Sequence, residues 1–226
     1  MFEKRILATQ PMFRGLLLSL VALPLGALAQ SPTPDPSSLR AVDAHENMTI
    51  SADPYTDPER YKGVFGKKSP YDAGILAVRV YFRNDNTSAL RINASTIRLV
   101  VSPPGGQRQR LGPLTPEEVA DRTLLTANPK AARRPFPIPG AAAAPRNKDW
   151  TQMVDLLRTV VLGTDVLPPH ATTHGIFFFD VNHDFDAVRD SQLYVPDLIY
   201  MTDHKALFYF EVDLGEALTN VHTEPR

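Results

Sequence analysis

Residues 74–84 alternate with a period of two. Leu76, Val78, Val80 and Phe82 fall on one face, and Arg79, Tyr81 and Arg83 on the other. That period of two is the signature of a pleated strand. Asn84-Asp85-Asn86-Thr87 follow as a turn, since Asn and Asp tolerate left-handed backbone and bond their own main chain. Alternation resumes over 90–101 with a change of phase. Leu90 and Ile92 share one face and Ile97, Leu99 and Val101 the other, which predicts a bulge or break near Ala94. Pro103-Pro104-Gly105-Gly106 ends this run.

The pattern then turns helical. Thr115-Pro116-Glu117-Glu118 combines an N-cap residue, a proline at the first helical position and a glutamate placed to close a capping box, and leads into 119–125. Trp150, Met153, Val154, Leu157 and Val161 recur at helical spacing over about 149–162, with Gly163 as the stop. Between the two helices, 128–145 holds five prolines and an alanine run, and reads as a loop. Strands return at Thr173. Gly175-Ile176-Phe177-Phe178-Phe179 is apolar on both faces, as a strand between two covering layers is. Residues 192–201, interrupted by Pro196, read as an edge strand. Residues 206–214 read as a strong strand with Ala206, Phe208, Phe210, Val212 and Leu214 on one face. Strands on both sides of a helical stretch, without βαβ alternation, predict an antiparallel sandwich rather than a doubly wound sheet.

The N-terminus has a different pattern. Lys4, Arg5 and Arg14 precede an apolar run over 16–28, and Ala27-Leu28-Ala29 offers the small-x-small motif of signal cleavage. Residues 1–29 therefore read as a secretory signal, with Met12 an alternative start and an N-terminal membrane anchor the competing reading. Residues 30–41, with Pro32, Pro34 and Pro36, read as a flexible leader. The expected domain spans 42–216 with a helical and disordered insertion over 103–165, and 217–226 is a tail. The expected location is periplasmic or secreted, with no transmembrane segment after cleavage. The chain has no cysteine, so disulfides, thiolate metal sites and the acylated cysteine of lipoproteins are all ruled out.

Two stretches resemble the exported immunoglobulin-like, telokin-like β-sandwich domains of bacteria. One is Ala77-Val78-Arg79-Val80-Tyr81-Phe82-Arg83-Asn84, an apolar strand ending in Asn before a short loop. The other runs from Leu167-Pro168-Pro169-His170 through Thr173 and Gly175 to Phe179, with His170 where that family more often has Gly. The resemblance covers roughly 42–101 and 166–214. It implies a mainly-β, immunoglobulin-like antiparallel sandwich and leaves function open; the two-helix, Pro-rich insertion is read from the residues alone and has no counterpart in that family.

Formal net charge is −1, and the basic signal leaves the remainder more acidic. No strongly basic domain speaks for nucleic acid. Residues 103–149 stand apart, carrying Arg108, Arg110, Arg122, Lys130, Arg133, Arg134, Arg146 and Lys148 against Glu117, Glu118, Asp121 and Asp149. This basic stretch suits an anionic envelope polymer or an acidic partner protein, or is a solvated linker.

His170, His174, Asp180, His183 and Asp184 are the candidate metal or hydrolase cluster. In an extended chain His170 and His174 share a face but lie about 13 Å apart, too far for one ion. Asp180, Asn182, Asp184 and Asp186 alternate like the opening of a calcium loop, but Phe185 and Ser191 stand where that loop needs Gly and Glu. No nucleophile elbow or phosphate loop is present, and Glu117-Glu118 fits helix N-terminal electrostatics. Trp150, Tyr71 and Tyr81 are candidate sugar-stacking rings, with core packing as the simpler role. The expectation is a non-enzymatic exported binding or envelope-associated module, without assigned catalytic, cofactor or metal residues. The alternative is a metal-dependent protein or hydrolase built around 170–184.

Overall fold

The computed structural model describes residues 35–102, 105–127 and 147–218. The signal stretch 1–29, the loop 128–145 and the tail beyond 218 lie outside the described residues. Among the described residues the strands are β1 (Val42–His45), β2 (Met48–Tyr55), β3 (Ile75–Asn84), β4 (Leu90–Arg91), β5 (Arg98–Val101), β6 (Gln109–Leu111), β7 (Val166–Leu167), β8 (Ala171–Asp180), β9 (Ser191–Val195), β10 (Ile199–Tyr200) and β11 (Phe210–Asp213). The helices are α1 (Pro58–Phe65), α2 (Pro116–Ala127), α3 (Lys148–Val160) and α4 (Leu214–Leu218). Every strand pairing is antiparallel. The strands form two four-stranded sheets, ordered β1-β2-β3-β8 and β11-β9-β5-β6, and a small third sheet, β10-β4-β7.

Alternation decides which side chains meet. Ile50 of β2, Leu76, Val78, Val80 and Phe82 of β3, and Phe177 and Phe179 of β8 join Leu99, Leu193, Phe210 and Val212 of the other large sheet in one apolar cluster. This is the core of a mainly-β, sandwich-like body. The opposite face of β3 and β8 is also apolar at one end. Ile75, Ala77, Ile176 and Phe178 pack with Tyr61 and Phe65 of α1, Val119 and Ala120 of α2, and Met153, Val154 and Leu157 of α3. The apolar run 175–179 therefore lies between a second sheet and a layer of helices.

Local signals place the helices. Thr115 and Glu118 close a reciprocal capping box, with Thr115 N donating to Glu118 Oε2 (2.8 Å) and Glu118 N to Thr115 Oγ1 (3.3 Å). Donation to the carboxyl from the backbone N–H of Thr115, and then from its hydroxyl (3.0 Å), holds Glu118 below the usual range. Asn147 caps α3 through Trp150 N (2.9 Å). Helix α1, which the hydrophobic pattern did not single out, starts on an Asp57 cap with Pro58 in its first turn and stops at Gly66, φ 72°.

Several expectations are revised. Pro36 is buried in a short 3-10 turn (Pro36–Ser38) that lies against β2 and β3, and Ala41 is fully buried. Packed structure thus begins inside the leader 30–41, because Arg83 reaches Asp35 (2.8 Å) and Ser37 Oγ (3.3 Å). β9 is not an edge strand. It lies between β11 and β5, and Pro196 falls just past its paired residues, where a missing N–H breaks no ladder bond. Of the strand expected over 206–214, only Phe210–Asp213 forms a ladder, with one isolated bridge from Ala206 to Ile199. Leu207 N instead bonds Leu198 O (2.8 Å), so Leu207 is buried and Phe208 is 74% exposed, a phase shift within the run. The phase change near Ala94 is a 3-10 turn (Ala94–Thr96) at which the chain leaves the small sheet for the large one.

One seam of the sandwich runs between β1 and β11. There Asp43 Oδ2 accepts from Glu211 N (2.9 Å) and Glu46 Oε2 from Phe208 N (2.7 Å), while His45 stacks on Phe210 with ring centroids 3.8 Å apart. Glu46 and Asn47, both at positive φ, make the two-residue β1–β2 hairpin.

Candidate functional site

The residues singled out over 170–184 do not converge. His174 pairs in register with Tyr81 near one end of β8, and Asp180 with Ile75 at the other. Six residues of strand separate them by about 20 Å. Asp180 forms an ion pair with Arg122 and accepts from Asn182 N (3.0 Å). Asp184 accepts from Ala187 N (3.2 Å). His183, at φ 68°, sets Nε2 at 3.2 Å from Asp72 O. His170 occupies a turn at φ 53°. Among the described residues no group of three or more His, Asp or Glu side chains is disposed to hold a metal ion. The side-chain oxygens of Asp180 and Asp184 are spent on turn geometry and one ion pair.

The candidate sugar-stacking rings also have structural employment. Tyr81 is 3% exposed. Tyr71 stacks on Phe185 at 4.2 Å. Trp150 donates Nε1–H to Asp121 (2.7 Å) and packs against the helix-side core. In the basic stretch, Arg122 is paired with Asp180, Arg108 lies 4.0 Å from Glu211, and Arg110 sits over the Tyr194 ring at 5.9 Å. Lys130, Arg133, Arg134 and Arg146 lie outside the described residues.

A different place has the shape of a ligand site. An open cleft of about 620 Å³ lies between the 91–95 segment and the connection from α3 to β7, with Arg91, Asn93, Ser95, Thr164 and Asp165 among its lining groups. That volume falls within the roughly 300–1,000 Å³ of small-molecule sites. A second hollow of about 260 Å³ shares Ala94, Ser95 and Leu162 with it and is walled by Pro113, Leu114 and Phe177. A polar cleft thus continues into an apolar recess, with Leu162 between.

The walls are braced. Ile92 N donates to Asp165 O (2.7 Å), Arg98 Nη1 donates to the carbonyls of Ser95 (2.6 Å) and Ile97 (2.8 Å), and Ser95 Oγ bonds Asn93 Oδ1 (2.8 Å). Among the described residues Arg91 and Asp165 have no ion-pair partner, so the cleft offers one cation and one anion. The dividing Leu162 is positioned by Gly175. A Cβ at 175 would lie 2.3 Å from Leu162 N and 2.5 Å from its Cα. Gly175→Ala should therefore push the 161–163 segment outward, lowering stability by about 1–3 kcal/mol. Urea titration reads the loss, and backbone amide shifts confined to 161–165 and 94–95 locate it. A variant as stable as the parent would show that this contact gives way freely.

Sequence reasoning missed this cleft, whose walls come from segments with no shared periodicity. The short, Gly- and Thr-containing link 162–165 was the one visible hint.

Among the described residues the fold and cleft define a mainly-β, antiparallel body with four helices and an open binding-sized cleft. No family model matches the chain, and no curated protein matches it. Among solved structures, it is similar to the crystal structure of a functionally unknown protein from Listeria monocytogenes EGD-e. That match has 13% identity and a TM-score of 0.31, covering 69% of this chain and 70% of that one. No described helix is long and apolar enough to cross a membrane.

Proposed function

We propose that the protein is an exported, non-enzymatic binding or envelope-associated module, and that the 91–95/162–165 cleft is where its ligand sits. The carrying observation is the cleft, with unpaired Arg91 and Asp165 over a braced floor and an apolar recess alongside. One cation and one anion, unpaired among the described residues, beside an apolar hollow suit a polar ligand with an apolar end, such as a short peptide carried by an envelope polymer. Export rests on the signal-like residues 1–29, and periplasmic or secreted location follows from it. The sandwich fits the immunoglobulin-like reading, with α2 and α3 as its two-helix, Pro-rich insertion. The basic stretch 103–149 adds a second, weaker contact for anionic polymer or an acidic partner protein.

The test is a titration of the isotope-labelled chain from residue 30 with soluble peptide-bearing fragments of bacterial cell-wall polymer. Amide shifts should cluster at 91–95 and 162–165 and vanish in Ser95→Trp, which places a bulky ring at the lip shared by cleft and recess. Saturable shifts mapping elsewhere, or undiminished in Ser95→Trp, would remove the cleft from the proposal.

A further inference from the structure

The outer face of the β1-β2-β3-β8 sheet carries a second feature, independent of the cleft. Register sets its rows. Ser51, Tyr81 and His174 lie side by side across β2, β3 and β8; Asp53, Arg79 and Ile176 form the next row; Tyr55, Ala77 and Phe178 the one after. The helix layer covers the last row and Ile176. At the far end Arg83 ties Asp35 and Ser37 down over Thr49. Arg79 stands between these two covers.

Its obvious partner is taken. Asp53 lies directly opposite Arg79 in the ladder, but both its oxygens go to Arg60, with Nη1–Oδ1 at 2.8 Å and Nη2 on Oδ2. Two guanidinium groups then share one ring, Arg60 at 3.7 Å and Arg79 at 5.5 Å from the Tyr55 centroid. Arg79 is only partly exposed, its Nε is fully occluded, and that N–H has no acceptor. Nor does either terminal nitrogen bond any described residue. One row away, Ser51 Oγ is occluded without a partner, in a residue with no exposure. Burial first, and the charge of Arg79 second, hold His174 towards its neutral form.

A hidden donor without an acceptor costs about 1–3 kcal/mol, and more when charged. Such groups are rare enough in native proteins to need an explanation. Here a cation and a hydroxyl on one sheet face both lack an acceptor, beside a carboxylate already committed elsewhere. We propose that Arg79 anchors a binding site for a small oxyanion, a carboxylate or a phosphate, on this face between the 3-10 turn at Pro36–Ser38 and α1. With Nε occluded, the edge formed by the two terminal nitrogens is the one that takes two oxygens of either group side by side, a recognition a planar guanidinium performs well.

The experiment follows the side-chain Nε–H signals of arginine in the chain from residue 30, titrated with sodium phosphate, sodium acetate or sodium chloride at constant ionic strength. The Arg79 signal should move saturably with phosphate and acetate, while that of exposed Arg110 stays in place. A response to both assigns a general oxyanion site, and a response to phosphate alone assigns phosphate esters as the source. No Arg79 movement, or equal movement at Arg110, overturns the proposal. Melting curves of Arg79→Gln give a second reading. Without oxyanion it should melt at or above the parent, because an unpaired charge has been removed. With 100-fold excess of phosphate over its dissociation constant the parent should gain about 2.7 kcal/mol, the stabilisation of a 100-fold saturated site, and the variant nothing. A variant that melts far below the parent in chloride would assign Arg79 a purely internal role and end the proposal.

Discussion

Asn84→Asp is expected to lower stability by about 3–5 kcal/mol near neutral pH, the scale of an uncompensated buried charge. Asn84 has no exposure. Its Nδ2 donates to Ser88 O (2.9 Å) and Pro168 O (3.0 Å) and approaches Leu167 O at 3.4 Å, and its Oδ1 accepts from Asn86 N (3.0 Å). One amide thus ties the end of β3 to the segment before β8. These are the two stretches on which the resemblance to exported sandwich domains was drawn. An ionised aspartate of the same shape would aim an oxygen at two or three carbonyl oxygens. Protonated, it can restore one of the donations. Burial and the facing carbonyls hold that carboxyl in its acid form in the fold, above the usual value of about 3.9. The unfolded chain ionises first as pH rises, so the deficit should be smallest near pH 4 and grow upward from there. Melting curves at pH 4 and pH 7, each against the parent, provide the measurement, with a scale of about 2–4 °C per kcal/mol for a domain of this size. A deficit that does not change with pH would show that the side chain is reached by water.

Tyr61→Phe should destabilise by about 2–4 kcal/mol, at about 1–3 kcal/mol for each backbone group left without a partner. β2 stops pairing with β3 at Tyr55 and Ala77. One step further, where no strand remains, the Tyr61 hydroxyl accepts from Ala77 N (2.7 Å) and donates to Ile75 O (3.0 Å). It stands in for the missing ladder residue. Its ring is fully buried between Tyr55, Phe65 and Tyr71. Burial pushes its ionisation well above the usual tyrosine range, so the hydroxyl stays a donor at ordinary pH. Since phenylalanine preserves the ring packing, the loss isolates the two hydrogen bonds. Chemical denaturation reads it, and a deficit below about 1 kcal/mol, within one ordinary net hydrogen bond, would mean that water enters the gap.

How far the sequence spoke depended on distance along the chain. β3 was legible because Leu76 to Phe82 alternate without interruption, and α2 because Thr115 and Glu118 are three residues apart and bond each other. The doubly apolar run at 175–179 announced two covering layers, but not which segments supply them. α1 carried its own signs in Asp57-Pro58, the Tyr61/Phe65 spacing and Gly66, but in eight residues its three apolar side chains make too short a periodic run to stand out. Phe208 and Leu207 exchanged faces because the Leu198–Leu207 hydrogen bond, a long-range contact, overrides local alternation. The alternation beginning at Asp180 resembled the opening of a calcium loop, and the true partner of Asp180, Arg122, could not be seen from it because it is 58 residues away. The cleft and the isolated Arg79 were illegible for the same reason. Arg79 looked like any solvent-facing arginine in an alternating strand. It becomes unusual only once α1 has carried Arg60 onto Asp53.

The seam between β1 and β11 bears on how the protein keeps to itself. An open sandwich has strand edges whose unpaired amides can recruit a strand from another chain, the first step towards ordered aggregates. Barrels avoid this by closing the sheet. Here two acidic side chains already hold amides, Asp43 that of Glu211 in β11 and Glu46 that of Phe208 just before it, and His45 roofs Phe210 beside them. An incoming strand would have to displace carboxylates and then face their negative charge. Solubility at this edge is therefore written into the side chains of a four-residue strand and the turn that follows it, without any ladder to close it.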